Sequence, residues 1–409
     1  MITIHGTGCS LMDYLYTDID LSSPPLRRAM SKTPGDGGLS PGKLVFVEDL
    51  ERFLNESFHD FLNEATGGKK PDKANVGGPS IVSLINAAQL LEGAQNGGFK
   101  VAFFGGHGHD ETADELLEIL AQTPLDVSEY REVEGVTPFT VVLSDPNADN
   151  GHGERTFINS MGAVLHYGPA DLPDSFFDAN IVAFGGTALV PDIHDHLASL
   201  TRRSREAGSI VVVNTVYDYR NQAKNATGRW PLGEDDTSYM ATDLLITDKE
   251  EAFRLSGEIS IPNALAYFAS KGTEAAVVTD GSRDIYFYSK GNLFSKLEIQ
   301  NLPVSESVRQ DILNTQVPKG DTTGCGDNFV GGILASMAEQ LEVGVPIGKL
   351  DLIEACSWAV ASGGFSCFYV GGTYLERTPG EKRERIAHYY DLYEQQIGRN
   401  FRRNFGRNQ

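Results

Sequence analysis

The chain has 409 residues, of which 40% are hydrophobic, so it can bury a large core in one or two domains. Its formal net charge of −22 at pH 7 argues against a nucleic-acid or anionic-membrane partner, because phosphate groups would meet a repulsive field. No stretch approaches the roughly 18 uninterrupted apolar residues of a membrane span, and the N-terminus lacks the pattern of a secretory signal. The four cysteines have neither zinc-like nor thioredoxin-like spacing, so we expect reduced thiols in a cytoplasmic protein.

Short apolar runs alternate with helical patterns along the chain, which is typical of a layered α/β fold. The runs are apolar nearly throughout, as in central parallel strands that are covered on both faces. We predict strands at 2–6, 100–105, 180–186, 209–214, 243–247 and 275–281. We predict helices at 81–95, 111–122, 192–207 and 249–255, and a helical C-terminal part that contains 328–340 and 350–366.

Two stretches depart from this alternation. Residues 139–158, FTVVLSDPNADNGHGERTFI, have two β-rich arms around a turn rich in Asp, Pro, Asn and Gly, which predicts a hairpin. With residues 11–20 this hairpin is expected to form a small separate sheet. Residues 22–73 begin as a turn-rich loop and continue with apolar residues at helical spacing. We interpret this segment as an insertion whose helix packs on the main body.

The sequence KGDTTGCGDNFVGGILASM at 319–337 places a glycine-rich turn directly before an apolar helix. The first N–H groups of a helix lack internal partners and carry partial positive charge, and glycines let a ligand approach them. The turn is therefore a candidate anion hole for a phosphoryl group in transfer, formed by Gly324, Cys325 and Gly326. Asp327 would accept the proton of an attacking hydroxyl, while Asp321 and Thr322 would orient the turn or hold a cation. On these residues alone, a helix start capped by Asp and Thr is the simpler interpretation.

The string GDTTGCGDNFVGG at 320–332 resembles the C-terminal signature of the ribokinase-like, or pfkB, family of carbohydrate kinases. Further segments resemble family motifs and follow the family's order between Gly6 and Gly372. They are GTGCSLMDYLY (6–16), NVGGPSIVSLINAAQLL (75–91), GGHGHDETADELLEIL (105–120), GERTFINSMGA (153–163), ITDKEEAFRLSG (246–257) and VVTDG (277–281). An ordered series of this kind is far more specific than one glycine-rich turn.

The resemblance implies a three-layer α/β/α ribokinase-like domain over residues 1–380, with a small β-sheet lid. The lid would come from parts of 11–20, 44–48 and 137–160, and residues 381–409 would form a C-terminal helix and a basic tail. The resemblance also implies an ATP-dependent kinase that transfers the γ-phosphate to a hydroxyl of a sugar or sugar-containing small molecule. A homodimer through the lid is a further expectation, since an open sheet edge invites pairing.

On the acceptor side, the resemblance implies that Asp13 holds substrate hydroxyls, as an acid just past a strand end. Gly77 and Gly78 would let the backbone approach the sugar. After this pair the family usually has an asparagine, where the chain has Ser-Ile-Val at 80–82. The missing hydroxyl partner would be supplied by Asn75 or by the inserted segment.

On the nucleotide side, the implied neighbours of ATP are Thr279, Gly281, Thr322, Gly324 and Gly326. Magnesium would be steered by Glu251 and Asp248, largely through water, because this ion keeps much of its hydration shell. Asp248 stands where the family usually has asparagine, a change that keeps an oxygen ligand. Asp327 would be the general base, and a monovalent cation is a further candidate cofactor.

Other functions stay open at this point. A nucleoside (adenosine-like) kinase is one alternative, because Phe53, Phe58 and Phe61 of the insertion would bring aromatic rings near a base, although they suit the core of the insertion better. A family-like regulatory protein that binds sugar or nucleotide with weak catalysis is another. A nicotinamide-dependent dehydrogenase is disfavoured, because Gly6-x-Gly8 lacks the third glycine of the dinucleotide fingerprint.

Overall fold

The computed structural model of the chain describes residues 1–33, 35–94, 98–148, 154–314 and 320–399. In chain order the strands are β1 (Ile2–Gly8), β2 (Leu11–Tyr16), β3 (Leu44–Phe46), β4 (Lys73–Gly77), β5 (Phe99–His107), β6 (Asp126–Glu132), β7 (Phe139–Asp145), β8 (Glu154–Ser160), β9 (Ile181–Gly185), β10 (Ile210–Asn214), β11 (Leu244–Asp248), β12 (Ala275–Thr279), β13 (Ile285–Ser289) and β14 (Leu297–Leu302).

The α-helices are α1 (Pro24–Ala29), α2 (Val47–Leu54), α3 (Phe58–Thr66), α4 (Pro79–Glu92), α5 (Glu111–Leu120), α6 (Pro191–Asp195), α7 (Leu197–Glu206), α8 (Tyr219–Lys224), α9 (Lys249–Ser256), α10 (Ile261–Lys271), α11 (Glu306–Leu313), α12 (Cys325–Glu342), α13 (Leu352–Phe365) and α14 (Glu381–Gln396). Short 3₁₀ helices lie at Gly162–His166, Pro169–Asp171, Asp174–Phe177, Thr187–Leu189, Asp236–Ala241 and Ser366–Phe368.

Nine strands form the larger sheet, in the order β14-β13-β12-β11-β10-β9-β1-β5-β6. The strands from β12 to β6 in this order are parallel, and β13 and β14 are antiparallel at one edge. The six predicted strands are all present and lie next to one another in this sheet. The sequence prediction missed β6, β13 and β14. The two edge strands, DVSEYRE and LEIQNL, mix polar with apolar residues, and Tyr130 is their one buried residue, so they lack the apolar run of a central strand.

Side chains of the central strands alternate between the two faces of the larger sheet. In β10, Ile210 and Val212 belong to the core on one face, whereas Val211 and Val213 belong to the core on the other. Helices α4, α12, α13 and α14 cover the first face, and α7, α9 and α10 cover the second. The three-layer α/β/α architecture expected from the sequence is therefore confirmed.

Five strands form a second, smaller sheet in the order β3-β8-β7-β2-β4. One face of this sheet packs against α1, α2 and α3, and its core includes Leu50, Phe61, Val141 and Leu143. Asp13 and Thr140 are paired neighbours in β2 and β7, and strand alternation puts them on the opposite face. The helices of the 22–73 segment thus lie on the side of the smaller sheet that faces away from Asp13.

Several predicted segments differ in detail from the structure. The predicted helix at 192–207 is divided into α6 and α7, because His196 leaves the helical conformation (φ −109°, ψ 11°). Helix α10 and strand β4 were not predicted as such. The hairpin turn at 149–153, the last residue of the predicted helix 81–95 and the tail at 400–409 lie outside the described residues. Within the described ranges, no helix has both the length and the apolar character to span a membrane.

Candidate active site

The parallel strands of the larger sheet end at a common edge, where ligands of open α/β sheets bind. The last residues of five neighbouring strands there are Gly8, Gly185, Asn214, Asp248 and Thr279. The smaller sheet adjoins this edge, because only Cys9 and Ser10 separate β1 from β2. A cleft between polar strand ends and a second sheet is a suitable place for a small polar ligand.

Asp13 is directed into this region from β2. A Cβ at Gly77 would lie 2.0 Å from Asp13 Oδ2, so glycine at that position makes room for the carboxylate. Burial, followed by the negative charges of Asp327 and Asp321, raises the pKa of Asp13 to about 7, and a hydrogen bond from Thr140 opposes the shift. The structure therefore places Asp13 and Asp327 in one site, although 314 residues separate them along the chain (327 − 13 = 314).

Gly78 connects β4 to α4 in a conformation that requires glycine. Its φ is +104°, and a Cβ there would lie 2.7 Å from the carbonyl oxygen of Cys9. That carbonyl accepts hydrogen bonds from the N–H groups of Ser80 (3.2 Å) and Ile81 (3.4 Å) at the start of α4. The Gly-Gly pair thus brings the helix directly onto the β1–β2 connection.

Asn75 is buried, and the protein itself uses both ends of its amide. Its Nδ2 donates to the carbonyls of Val370 (3.3 Å) and Thr373 (3.1 Å), and its Oδ1 accepts from the N–H of Val76 at 2.9 Å. The expectation that Asn75 supplies a missing hydroxyl partner does not fit this arrangement. Instead, Asn75 holds the loop at 370–373.

The glycine-rich turn leads into α12, with Gly324 as the N-cap residue at φ +74°. A Cβ at Gly324 would lie 2.5 Å from Cα of Gly372, whereas a Cβ at Gly326 would meet no atom within 4 Å. In the part of the chain that the structure describes, no group accepts a hydrogen bond from the N–H of Gly326 or Asp327. These N–H groups and the open space beside them can receive an anion.

Asp327 lies in the first turn of α12, and burial raises its pKa to about 6. A pKa near neutrality suits a group that takes up and releases a proton during turnover. Thr322 is exposed, and its carbonyl accepts from the N–H of Cys325 at 3.3 Å. No contact of the Thr322 side chain among the described residues bears on phosphate binding, so its role beside the nucleotide stays a prediction.

Asp321 orients the turn, which is one of the two roles considered for it. Its carboxylate accepts from the N–H groups of Thr323 (3.0 Å) and Gly371 (3.3 Å), and Arg155 Nη1 of β8 lies 3.4 Å away. Lys73 of β4 also reaches the neighbouring loop and donates to the carbonyl of residue 370. Both basic residues belong to the smaller sheet, so they join that sheet to the turn.

A buried hydrogen-bond network supports the turn from behind. Asn328 Nδ2 donates to the carbonyl oxygens of Gly324 and Gly372, both at 2.9 Å. Asn328 Oδ1 accepts from Lys382 Nζ at 2.9 Å and from the Tyr369 hydroxyl at 3.2 Å. Lys382 comes from α14 and is 1% exposed. Burial lowers the pKa of Lys382 to about 7, so holding this ammonium group inside the protein is costly.

The predicted nucleotide side lies farther along the same edge. Asp248, Thr279 and Gly281 line a cleft of about 640 Å³, whose other charged residues are Arg229, Lys249, Arg254, Glu250, Glu258 and Asp280. In the order of the sheet, β11 lies three strands from β1, a separation of about 14 Å at the usual strand spacing. The strand that leads to Asp13 and the strand that ends at this cleft are therefore close enough for one extended ligand to reach both.

Glu251 and Asp248 form a pair of adjacent carboxylates in the first turn of α9. Glu251 Oε2 accepts from the hydroxyls of Thr215 (2.5 Å) and Thr247 (3.4 Å), and Asp248 Oδ1 accepts from the N–H of Glu251 at 2.8 Å. Burial, followed by the charge of Asp248, raises the pKa of Glu251 to about 8, and burial also raises the pKa of Asp248. Two neighbouring carboxylates with raised pKa values, Glu251 buried and Asp248 exposed at the end of β11, suit a divalent cation, because the cation supplies the missing positive charge.

The described residues contain no group of three His, Cys, Asp or Glu side chains that would hold a metal alone. Two carboxylates are enough for magnesium, which is usually bound by one or two carboxylates, several waters and the phosphates of a substrate. Asp248 and Glu251 therefore fit the ion that the sequence motif implies.

Comparison with known proteins decides the family. Residues 72–379, well over half of the chain, match the profile of the pfkB family carbohydrate kinases. The chain belongs to the pfkB family. A fructokinase from Rhizobium leguminosarum bv. trifolii is 25% identical to this pfkB kinase over 295 residues, which cover 69% of the chain and 78% of that protein.

Solved structures share the fold of this pfkB kinase. An adenosine kinase from Schistosoma mansoni in complex with 2-fluoroadenosine has a TM-score of 0.66 at 16% identity, with 91% of this chain and 97% of that chain covered. A ribokinase from Thermotoga maritima has a TM-score of 0.58 at 17% identity, with coverage of 95% and 99%. These structures show the ribokinase-like fold, and membership of the pfkB family shows that the protein is a carbohydrate kinase, a phosphotransferase with a hydroxyl acceptor, as the sequence predicted.

Sequence reasoning missed several residues that this pfkB kinase brings to the site. They are Lys73, Arg155, Thr215, Asn328 and Lys382. Asn328 directly follows Asp327 in the motif, so its position was a usable signal. Lys382 lies 54 residues from Asn328 in a polar helix, EKRERIAHYY, where nothing distinguishes it from Arg383 or Arg385. Only the folded structure shows that it is buried.

The substitution Lys382→Met tests the buried ammonium group. The pKa of about 7 lies below the ordinary value of 10.5, so the unfolded chain binds more protons than the folded one between these pH values. The stability contribution of Lys382 therefore increases as the pH rises. We expect the difference in free energy of unfolding, wild type minus Lys382→Met, to increase by about 2 kcal/mol from about pH 7 to about pH 9. Urea denaturation at both pH values measures it.

Lys290→Met is the matched control, because Lys290 is exposed. We expect its difference from wild type to stay constant over the same range. If the difference in free energy of unfolding from wild type increased equally for both variants, the result would contradict a titrating ammonium group at Lys382.

Proposed function

We propose that this pfkB kinase transfers the γ-phosphate of ATP to a hydroxyl of a free sugar, with Asp327 as the general base. The observation that supports this most strongly is the proximity of the Asp13 and Asp327 carboxylates, whose charges interact. Next to them are two helix N–H groups that have no acceptor within the part of the chain that the structure describes. When two acids lie beside one polar ligand, one acid can orient the ligand while the other takes up its proton. The N–H groups provide the positive potential that a transferring phosphoryl group requires.

In the proposed mechanism, Asp13 accepts hydrogen bonds from acceptor hydroxyls and fixes the reacting oxygen. Asp327 takes the proton of that hydroxyl. The oxygen forms a bond to the γ-phosphorus while the bond between phosphorus and the β–γ bridging oxygen breaks. The N–H groups of Gly326 and Asp327 lie against the negative charge of the group in transfer. The turn of Gly324, Cys325 and Gly326 is the anion hole in this scheme.

The nucleotide is proposed to lie along the strand ends, with Thr279 and Gly281 at one end and Thr322 near its phosphates. The cleft of about 640 Å³ at these strand ends supports this placement, because Asp248, Thr279 and Gly281 all line it. Asp248 and Glu251 would hold magnesium through water, and the ion supplies positive charge next to the phosphates.

The smaller sheet is proposed to act as a lid over the acceptor. Support comes from the contacts of Arg155 with Asp321 and of Lys73 with the loop at 370, which join the sheet to the anion hole. A lid held in this way excludes water, which otherwise competes as phosphoryl acceptor. The expected homodimer through the lid stays a proposal. It would use the edge strands β3 and β4.

A free sugar fits better than a nucleoside as the acceptor. Phe61 is buried in the core between the smaller sheet and the inserted helices, and Phe58 packs against the same core. Both lie on the face of the sheet away from Asp13, so they do not offer a stacking surface to a base. The Rhizobium relative is named a fructokinase, which also favours a sugar.

An acceptor panel tests this preference. With ATP and magnesium, we expect fructose or ribose to give kcat/KM at least about 10-fold above adenosine, because Asp13 offers a carboxylate and no aromatic partner. Coupled measurement of ADP release with each acceptor decides the question. Omission of the acceptor is the control for hydrolysis, and a higher kcat/KM for adenosine would contradict the sugar assignment.

Asp327→Asn tests the general base. The variant keeps the side-chain volume but cannot take the proton, so we expect kcat to fall by about 10²–10⁴ while ATP binding is retained. In the wild type, kcat/KM should fall as the pH decreases through about 6, because protonation removes the base. Steady-state kinetics between about pH 5 and pH 8 measure both effects.

Asp178→Asn is the control for that experiment, since Asp178 is exposed and belongs to none of the sequence motifs of the site. It should keep the wild-type rate and pH profile. Near-native turnover of Asp327→Asn would show that the base is assigned wrongly.

Gly77→Ala tests the position of Asp13. The new Cβ would lie 2.0 Å from Asp13 Oδ2, so the carboxylate must move. We expect KM for the sugar to rise by at least about 10-fold with little change in KM for ATP, because a displacement near 1 Å is costly at a reacting centre. Gly98→Ala is the control, since its Cβ would meet only the end of the flexible Glu342 side chain at 3.2 Å. Equal effects on both substrates would instead indicate a general folding defect.

A further inference from the structure

Two free thiols lie next to each other at the anion hole. Cys325 is the first residue of α12, and Cys367 belongs to the 3₁₀ helix Ser366–Phe368. Their Sγ atoms are 3.5 Å apart, and both side chains are partly exposed. The other cysteines, Cys9 and Cys356, are buried, with 2% and 0% of their surface exposed. An oxidant in solution can therefore reach the pair and not the other two.

The two segments that carry the pair are already joined by their backbones. The N–H of Gly320 donates to the carbonyl of Cys367 at 2.9 Å, and the N–H of Asp321 donates to the carbonyl of Tyr369 at 3.2 Å. The Ser366 hydroxyl donates to Cys325 Sγ at 3.1 Å. The thiols are thus held side by side, and an approach of about 1.5 Å brings them to the S–S bond length of about 2.05 Å.

The pKa values of the two thiols are shifted in opposite directions, which favours reaction at Cys367. A hydrogen bond with Cys325 lowers the pKa of Cys367, and the same interaction, followed by burial, raises the pKa of Cys325. Cys367 is therefore the thiol that ionises first, and the thiolate is the nucleophile in thiol–disulfide exchange. Cys325 is placed to resolve a mixed disulfide.

We propose that Cys325 and Cys367 form a reversible disulfide that inhibits phosphoryl transfer when a low-molecular-weight disulfide or hydrogen peroxide oxidises the protein. Formation of the bond depends only on the thiols, whereas the inhibition rests on the proposed function of the turn. Intracellular disulfides of this kind, where they occur, usually serve in redox sensing or catalysis and not in structure.

The Cys367 thiolate attacks one sulfur of a disulfide RSSR, the S–S bond breaks, and RS⁻ leaves. Cys325 loses its proton and attacks the Cys367 sulfur, and the second RS⁻ leaves. The protein gives up two electrons and two protons, and RSSR is reduced to two RSH. With hydrogen peroxide, Cys367 becomes a sulfenic acid as one water forms, and attack by Cys325 releases a second water.

Inhibition follows from the position of Cys325. Its residue starts α12, and Gly324 next to it already lies so close to Gly372 that a Cβ would be 2.5 Å away. Because the turn is already closely packed on Gly372, we expect the approach of Cys325 to Cys367 to displace it. A displacement of about 1 Å in a catalytic site can cost about 10²-fold in rate.

The experiment compares reduced protein with protein treated with oxidised glutathione or with hydrogen peroxide. Thiols are counted in denaturant, kcat is measured with the best acceptor, and tryptic peptides are examined by mass spectrometry without reduction. Cys325 lies in peptide 320–349, while Cys367 shares peptide 350–377 with Cys356. Mapping is therefore done in the variant Cys356→Ala, which also serves as the matched control.

We expect two of the four thiols to be lost, peptides 320–349 and 350–377 to be linked in Cys356→Ala, and kcat to fall at least about 10-fold. Dithiothreitol should restore kcat. Cys367→Ala and Cys367→Ser should have normal activity when reduced and should lose none of it on oxidation.

Absence of the linked peptide overturns the proposal, and so does equal inhibition of Cys367→Ala. A linked peptide with unchanged kcat also overturns it, since the bond would then have no regulatory effect. Failure of the proposed function is distinguishable, because it would appear as absence of turnover in the reduced protein, before any oxidant is added.

Discussion

The N–H groups of Gly326 and Asp327 at the start of α12, which have no acceptor among the described residues, are the feature on which the rest of the site depends. Polar groups of this kind are normally satisfied by a capping side chain or by water. Here the N-cap is Gly324, which has no side chain to offer. The turn keeps its shape because Asn328 binds the carbonyls of Gly324 and Gly372 from behind, and Asp321 binds backbone N–H groups from the side. These contacts of Asn328 and Asp321 thus leave the N–H groups at the start of α12 accessible.

Electrostatics explain why such a helix terminus is needed in so acidic a protein. The negative charges of Asp327 and Asp321 add to burial in raising the pKa of Asp13. A polyanionic substrate would be repelled from this region without local positive potential. The helix N–H groups supply part of it, and magnesium held by Asp248 and Glu251 would supply the rest in the proposed mechanism. In that mechanism Asp327 takes up a proton beside an anion.

The fold was largely predictable, because the central strands are continuous apolar runs and the motifs follow the family's order. Strands β6 and β14 were not, since edge strands with polar side chains carry no such signal. For the site, the glycine-rich turn and the acids were predicted, and the structure brings Asp13 and Asp327 together. Asn75 showed the limit of this reasoning, because its amide is used to hold a loop. Lys382 could not be found from sequence, since burial of a lysine depends on packing between distant helices.

Asp13 is carried by the smaller sheet and Asp327 by a helix that packs on the larger one. Neither sheet alone contains a complete reaction centre. In the proposed mechanism, any movement that separates the two sheets also separates the acid that orients the hydroxyl from the acid that takes its proton. The proposed reaction therefore depends on the position of one sheet relative to the other, so that a small displacement of the smaller sheet would be enough to stop it.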